Sequence, residues 1–160
     1  MSTSKTRHRA VAVVIRTNPV SEKVEILLIK RSNYGQQYWT FPGGGIEDGE
    51  THEVACLREL FEESSVKGKI FRSLGTIQSM SIQQRTKGDI LINEVFIVDH
   101  ISGVPKLRED SSERRKELKG AEGGNQSYVP QWIAIDKFGS LADIYPTPVY
   151  NAVHQYIFVY

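Results

Sequence analysis

The apolar positions of this chain fall into short β-branched runs and one stretch of helical period. Residues 10–15 and 24–29 are two such runs, separated by Asn18, Pro19 and Ser21, the composition of two strands joined by a turn. From residue 51 to 65 there is neither glycine nor proline, and Val54, Leu57, Leu60 and Phe61 recur at helical spacing, which predicts an amphipathic helix. Residues 69–83 and 89–101 read as further strands, with Lys87-Gly88-Asp89 as a hairpin turn. Residues 128–135 form a candidate last strand. Residues 147–159 form a candidate closing helix, with Pro146 and Pro148 suited to its start.

Two stretches have no period. Residues 34–49 hold five glycines and one proline around Tyr38, Trp39 and Phe41, so a shaped loop is expected there. Residues 102–127 are charged and glycine-containing, with Arg114-Arg115-Lys116 and Gly123-Gly124; they are expected to form a long mobile loop. The order strand, strand, helix, hairpin, strand, helix implies an α+β fold with α/β/α layering around a central mixed sheet. At 160 residues one domain, 1–160, is expected.

Hydrophobic residues make up 39% and charged residues 24%, which argues against a disordered chain or a membrane protein. A net charge of +1 leaves polyanion binding to a local patch. Cys56 is the single cysteine, so no internal disulfide can form. Lys5, Arg7, His8 and Arg9 precede an apolar run too brief for a signal-peptide core. Both features fit a cytoplasmic protein, and no segment approaches membrane-spanning length.

The candidate chemistry sits on the helix over residues 51–65. At about 100° per residue, with Glu59 as origin, Glu63 lies near +40° and Glu62 near −60°, so three carboxylates share a face. Leu60, Leu57, Phe61 and Val54 fall between about 100° and 220°, which is the side expected to pack. Glu59 and Glu63 are like charges one helical turn apart, and a divalent cation would relieve their repulsion. Hard oxygen donors suit Mg2+, with Mn2+ as the alternative. A glutamate-rich face is also what a solvated helix shows. The preceding run from Phe41 through Pro42, Gly43, Gly44 and Gly45 to Glu50 shifts the balance, because consecutive glycines let backbone approach a ligand or metal.

Together these residues resemble the Nudix box, whose pattern is G, five residues, E, seven residues, REUxEExGU, with U a bulky aliphatic residue. Gly44, Glu50, Arg58, Glu59, Leu60, Glu62, Glu63 and Val66 fall in register, and Ser65 stands where the final glycine belongs. Serine there would cost on the order of 1 kcal/mol if the residue kept a left-handed conformation. The resemblance, which is to Nudix hydrolases of the MutT-like kind, implies a magnesium-dependent pyrophosphohydrolase that cleaves a diphosphate linkage in a nucleoside diphosphate derivative or a nucleoside triphosphate. It implies that Glu59, Glu62 and Glu63 bind the cations with the Gly43 carbonyl, that Arg58 orients the glutamates, and that Glu50 holds the loop against the helix. Family members also use a carboxylate from a distant loop. Glu122 is favoured here, with Glu109, Glu113, Glu117 and the strand residue Glu94 as other candidates.

Arg31, Trp39 and Phe41 are the candidate substrate-binding residues, the arginine for a phosphate and the aromatics for a base. The family's subfamily marks for ADP-ribose and dinucleoside polyphosphates are absent at Ser81, Ile82 and Gln83, and the coenzyme A signature beginning at Leu27 is incomplete. The asparagine that reads oxidised guanine in MutT-like members is replaced near Pro146. The expected partner is a small nucleotide-type molecule, with neither nucleic acid nor membrane; a homodimer is compatible with the sequence. Two other readings stand beside this one. A Nudix-fold ligand-binding or regulatory module would lack hydrolysis. An RNA 5′-end hydrolase would use Arg114, Arg115, Lys116 and Lys119, a patch that Glu109, Asp110, Glu113 and Glu117 interrupt.

Overall fold

The computed structural model describes residues 4–33, 35–82, 87–111, 113, 114 and 126–159. Its elements are β1 (Thr6–Thr17), β2 (Val24–Asn33), β3 (Gln36–Thr40), β4 (Gly43–Gly45), α1 (His52–Ser64), β5 (Lys67–Met80), β6 (Ile90–Ser102), β7 (Gln126–Ala134), α2 (Ile135–Phe138), β8 (Ile144–Tyr145) and α3 (Thr147–Phe158). The strands join in one mixed sheet of order β5-β6-β1-β2-β3-β8, with β4 added to β1 and β7 to β2. β1 runs parallel to β6 and β3 parallel to β8, while the other pairs are antiparallel.

Alternation along β1 builds both faces of the core. Val11 and Val13 enter a cluster with Val149 and Val153 of α3, Phe41 and Phe138. Ala10, Ala12 and Val14 enter the other cluster, with Ala55, Cys56 and Leu60 of α1. Successive strand side chains point to opposite faces, so one strand serves two helices. That is the expected α/β/α layering around a mixed sheet.

The sheet splays next to α1. Among the described residues β1 pairs with β2 at Ile15, Arg16 and Thr17, opposite Ile26, Glu25 and Val24. Further along, Arg9, Ala10 and Val11 pair instead with Gly45, Gly44 and Gly43 of β4, while β2 continues with β3 and β7. The glycine run is thereby wedged against β1, facing the helix.

Several expectations change. The stretch 34–49, expected as a loop, contains β3 and β4: the first is five residues long, too short to show a period, and the second is three glycines, whose backbone pairs without leaving a side-chain pattern. Within the expected mobile loop 102–127, the described part beyond β6 docks on the end of α1: Lys106 N–H donates to Ser64 O at 2.8 Å, Ser65 Oγ donates to Lys106 O at 2.7 Å, and Leu107 is buried. Glu117, Glu122, Arg115, Lys116 and Lys119 lie outside the described residues. No helix among the described residues is long and apolar enough to cross a membrane.

Candidate active site

α1 begins at an N-cap, Thr51, whose hydroxyl accepts from Val54 N–H at 3.2 Å. It ends at Ser65, which is left-handed at φ 62° and donates its N–H to Phe61 O at 2.8 Å. The helix therefore keeps the geometry of a glycine cap with a serine in place. Its packed face is turned from the one expected, of which Leu60 is buried and Leu57 packs against the same core. Ala55, Cys56, Leu60, Glu63 and Ser64 are the buried residues, whereas Val54 is 55% exposed. Around the helix Cys56 and Glu63 lie within about 20° of each other, so part of the glutamate face turns inward.

Glu63 is 1% exposed, and the interior supplies a hydrogen-bond donor for each of its carboxyl oxygens. Its Oε1 accepts the Gly43 N–H at 3.1 Å, and its Oε2 accepts from Arg31 Nη2 at 3.1 Å. Burial pushes its carboxyl up to about 8, further raised by Glu113 and Glu59 and opposed by Arg31 and the Gly43 N–H. Glu59 is also raised, chiefly by burial, with Arg58 opposing. Glu62 is the outward member, its side chain 44% exposed.

Arg58 ties this face together. It donates to both oxygens of Glu50, from Nε at 2.7 Å and Nη2 at 2.9 Å, and to Gly45 O at 3.0 Å. Nη1 donates to Glu59 at 2.9 Å and Glu62 at 3.2 Å. The planar fork suits such multiple recognition. Hydrogen bonding from Arg58, aided by the Glu47 N–H, holds the Glu50 carboxyl down at about 2. Glu50 thus clamps the loop to the helix.

The glycines are spatial requirements. A Cβ on residue 43 would lie 2.6 Å from Ala10 O, and one on residue 44 would lie 2.4 Å from Glu59 Cδ. The contact that Gly43 makes with a glutamate is through its N–H, where the resemblance implied its carbonyl as a cation ligand.

Among the described residues no three His, Cys, Asp or Glu side chains are grouped closely enough to hold an ion as they stand. Glu62 and Glu63 are engaged by arginines and a backbone N–H instead. The donor set nevertheless fits a hard divalent cation in chemistry: Glu59, Glu62 and Glu63 offer only oxygen from consecutive turns, and residue 44 leaves a hollow for Glu59.

Of the substrate-binding candidates, Arg31 lies at the site. Besides Glu63 it donates to Thr40 Oγ1 at 2.8 Å and covers the Tyr128 ring at 4.9 Å. It also lines a cavity of about 510 Å³, which it connects to the glutamate face through its bond to Glu63. Phe41 contributes to the cavity wall but is 3% exposed and packs edge-on against Phe138. Trp39 is a correction: strand alternation turns Tyr38 and Thr40 to the cavity and Trp39 away, against the core and near Lys30 and Lys137. Glu94 accepts from Ser73 and Thr76 on the sheet surface. Glu109 pairs with Arg114. Glu113 is the described loop carboxylate whose charge acts on both Glu59 and Glu63.

The sequence reading missed Arg9 and Tyr145 in the cavity wall. The alternation Arg9, Val11, Val13 was the available signal for the first, since it puts Arg9 on an inward-facing row of β1.

The human diphosphoinositol polyphosphate phosphohydrolase 2 is 38% identical over 80 residues, half of this chain and 42% of that protein; the chain spans less than half the length of the curated relatives it matches. Among solved structures, the E. coli ORF135 protein superposes with a TM-score of 0.65 at 20% identity, covering 98% of this chain and 94% of that one. The NUDIX domain of Shewanella oneidensis NrtR, complexed with ADP ribose, gives 0.66 at 16% identity over 98% and 90%. At these identities the structural likeness is one of fold. The family model described as the NUDIX domain matches residues 6–149, from β1 into α3, and the chain that carries this clamped glutamate helix belongs to the Nudix family.

Proposed function

We propose that this protein is a magnesium-dependent pyrophosphohydrolase, with manganese as an alternative cation, that cleaves a diphosphate linkage in a nucleoside diphosphate derivative or a nucleoside triphosphate. The observation that carries the reading is the Arg31–Glu63 pair, in which a residue of the cavity wall is bonded to the glutamate face. Family membership supports hydrolysis of a diphosphate bond. The names of the relatives point the same way, because diphosphoinositol polyphosphate phosphohydrolases cut phosphoric anhydrides.

In the reaction a water oxygen bonds to one phosphorus, the bridging P–O bond breaks, and two phosphate-ended products and a proton leave. Glu59, Glu62 and Glu63 are the residues that would hold the cations, which when bound neutralise phosphate oxygens and make the attacking water more acidic. Arg58 fixes the directions of Glu59 and Glu62 and, through Glu50, the loop that carries Gly44. Arg31 offers its guanidinium to a phosphate on the cavity side. Among the described residues Glu113 is the loop carboxylate that acts on both Glu59 and Glu63 and is the one proposed to assist proton removal, with Glu122 the favoured candidate from sequence alone. A single buried cysteine, Cys56, suits the cytoplasm.

Incubation with Mg2+ and a panel of nucleoside diphosphate derivatives tests the activity. Glu62→Gln and Glu63→Gln are each expected to depress turnover by orders of magnitude with the fold intact, as judged by circular dichroism. Wild-type-like rates in both variants would sink the mechanism. Absence of phosphate-containing product from every substrate would favour a ligand-binding module on this fold.

A further inference from the structure

One basic side chain at the site stands outside this network. Arg9 of β1, opposite Gly45, lines the cavity beside Arg31. Among the described residues its guanidinium has neither a hydrogen-bond nor an ion-pair partner. The residue is partly exposed to the cavity, yet burial is the largest influence on its charge and lowers its affinity for the proton. Glu63 and Glu59 stabilise the charge from a distance, and Arg31 repels it. A sequestered cation without a hydrogen-bonding partner destabilises the fold. Such groups are found where function requires them.

The rest of the cavity shows what would complete it. Arg9 and Arg31 are the cationic side chains of its lining, and both are close enough to Glu63 to feel its charge. Elsewhere the wall is largely aromatic and apolar, with Tyr38, Phe41, Met80, Leu91, Tyr145 and Pro146. Part of the wall is fixed from behind by Asn93, the parallel-strand neighbour of Arg9, whose amide donates to Ile77 O and Ser79 Oγ at 2.9 Å each. A ligand that matches this lining is anionic at one end and flat and apolar at the other. A ring carrying phosphates on every side would press unpaired charge against Met80, Leu91 and Pro146, a costly arrangement.

We infer that Arg9 anchors the substrate's diphosphate on the cavity side, so that the site accepts a diphosphate joined to an aromatic body, such as a nucleobase-bearing nucleotide, and disfavours an inositol polyphosphate. This rests on the proposed cleavage at the glutamate face. It adds a residue outside the Nudix motif and separates this chain's substrate from the one named for its curated relatives.

Calorimetry with the non-hydrolysable probe adenosine 5′-(α,β-methylene)diphosphate in Mg2+ tests it, with inositol hexakisphosphate as the comparison. Arg9→Gln is expected to weaken nucleotide binding at least about tenfold, the loss of a charge-assisted hydrogen bond, and to leave the ligand-free melting temperature unchanged or higher. Arg9→Lys keeps the charge without the fork and is expected to fall between; it carries the measurement if the glutamine variant does not fold. The inference is overturned by unchanged nucleotide affinity in the variants, by a fall in melting temperature that accounts for the weaker binding, or by tighter binding of the inositol phosphate. Because binding does not require turnover, a protein that binds the probe through Arg9 but hydrolyses nothing would defeat the proposed function alone. Hydrolysis with binding indifferent to Arg9 would defeat this inference alone.

Discussion

The carboxylate of Glu59 occupies the space that a side chain on Gly44 would fill: a Cβ there would lie 2.4 Å from Glu59 Cδ and 2.5 Å from Oε1. The obstructed group is the end of a side chain, so Gly44→Ala displaces the glutamate rather than the backbone. Arg58, bonded to Glu59 at 2.9 Å, would be disturbed with it. The expected result is a near-wild-type melting temperature with kcat lowered about a hundredfold, the scale on which a 1 Å misplacement acts. Steady-state kinetics beside a thermal melt checks this; a variant that loses stability and keeps its rate would show that Gly44 serves the turn alone.

Glu63 links cation binding to protons. Its carboxyl, pushed by burial from an ordinary 4.5 to about 8, holds a proton at neutral pH in the cation-free folded protein, whereas the unfolded chain has lost it. Between those two values the folded state binds more protons than the unfolded state, so this group's contribution to stability is fully present below 4.5 and is lost as pH rises to about 8. A divalent cation needs the carboxylate, so its binding near pH 7 should release a proton and tighten as pH rises, levelling off above about 8. Mg2+ titrations in two buffers of different ionisation enthalpy measure that release. Proton-neutral binding across the range would show Glu63 to be ionised without the cation.

How far the sequence could lead depended on whether a residue's role is local. α1 was legible because its period is local and its interior has no glycine or proline, and the register from Gly44 to Val66 named the proposed catalytic face. The direction in which that face turns was not legible. Cys56 and Ala55 are small and do not weigh on a hydrophobic pattern, yet they mark the buried side, and Glu63 joins them because Arg31 and Gly43, distant in sequence, donate hydrogen bonds to both of its carboxyl oxygens. β3 and β4 were missed for the same reason, since their partners are β2 and β1. Arg9 looked like a solvated residue ahead of an apolar run, and only the splay between β1 and β2 makes it part of a cavity wall.

Ser65 carries two opposed effects at the end of α1. Its φ of 62° strains a non-glycine residue, by about 1 kcal/mol. Its hydroxyl donates to Lys106 O at 2.7 Å, an exposed hydrogen bond that pins the segment after β6 to the helix, worth about 0.5–1.5 kcal/mol. Ser65→Gly relieves the first and forfeits the second, so its stability in urea should match the wild type within about 1 kcal/mol. Ser65→Ala keeps the strain and loses the bond, so it should be less stable than both by about 1 kcal/mol. The order also bears on activity, because Glu113 follows the pinned segment and acts on Glu59 and Glu63. Both variants lose this bond and keep the Lys106 N–H bond to Ser64 O and the burial of Leu107, so both should lower kcat by the same modest factor despite their different stabilities. Rates that follow stability instead would show that the segment after β6 does not position Glu113.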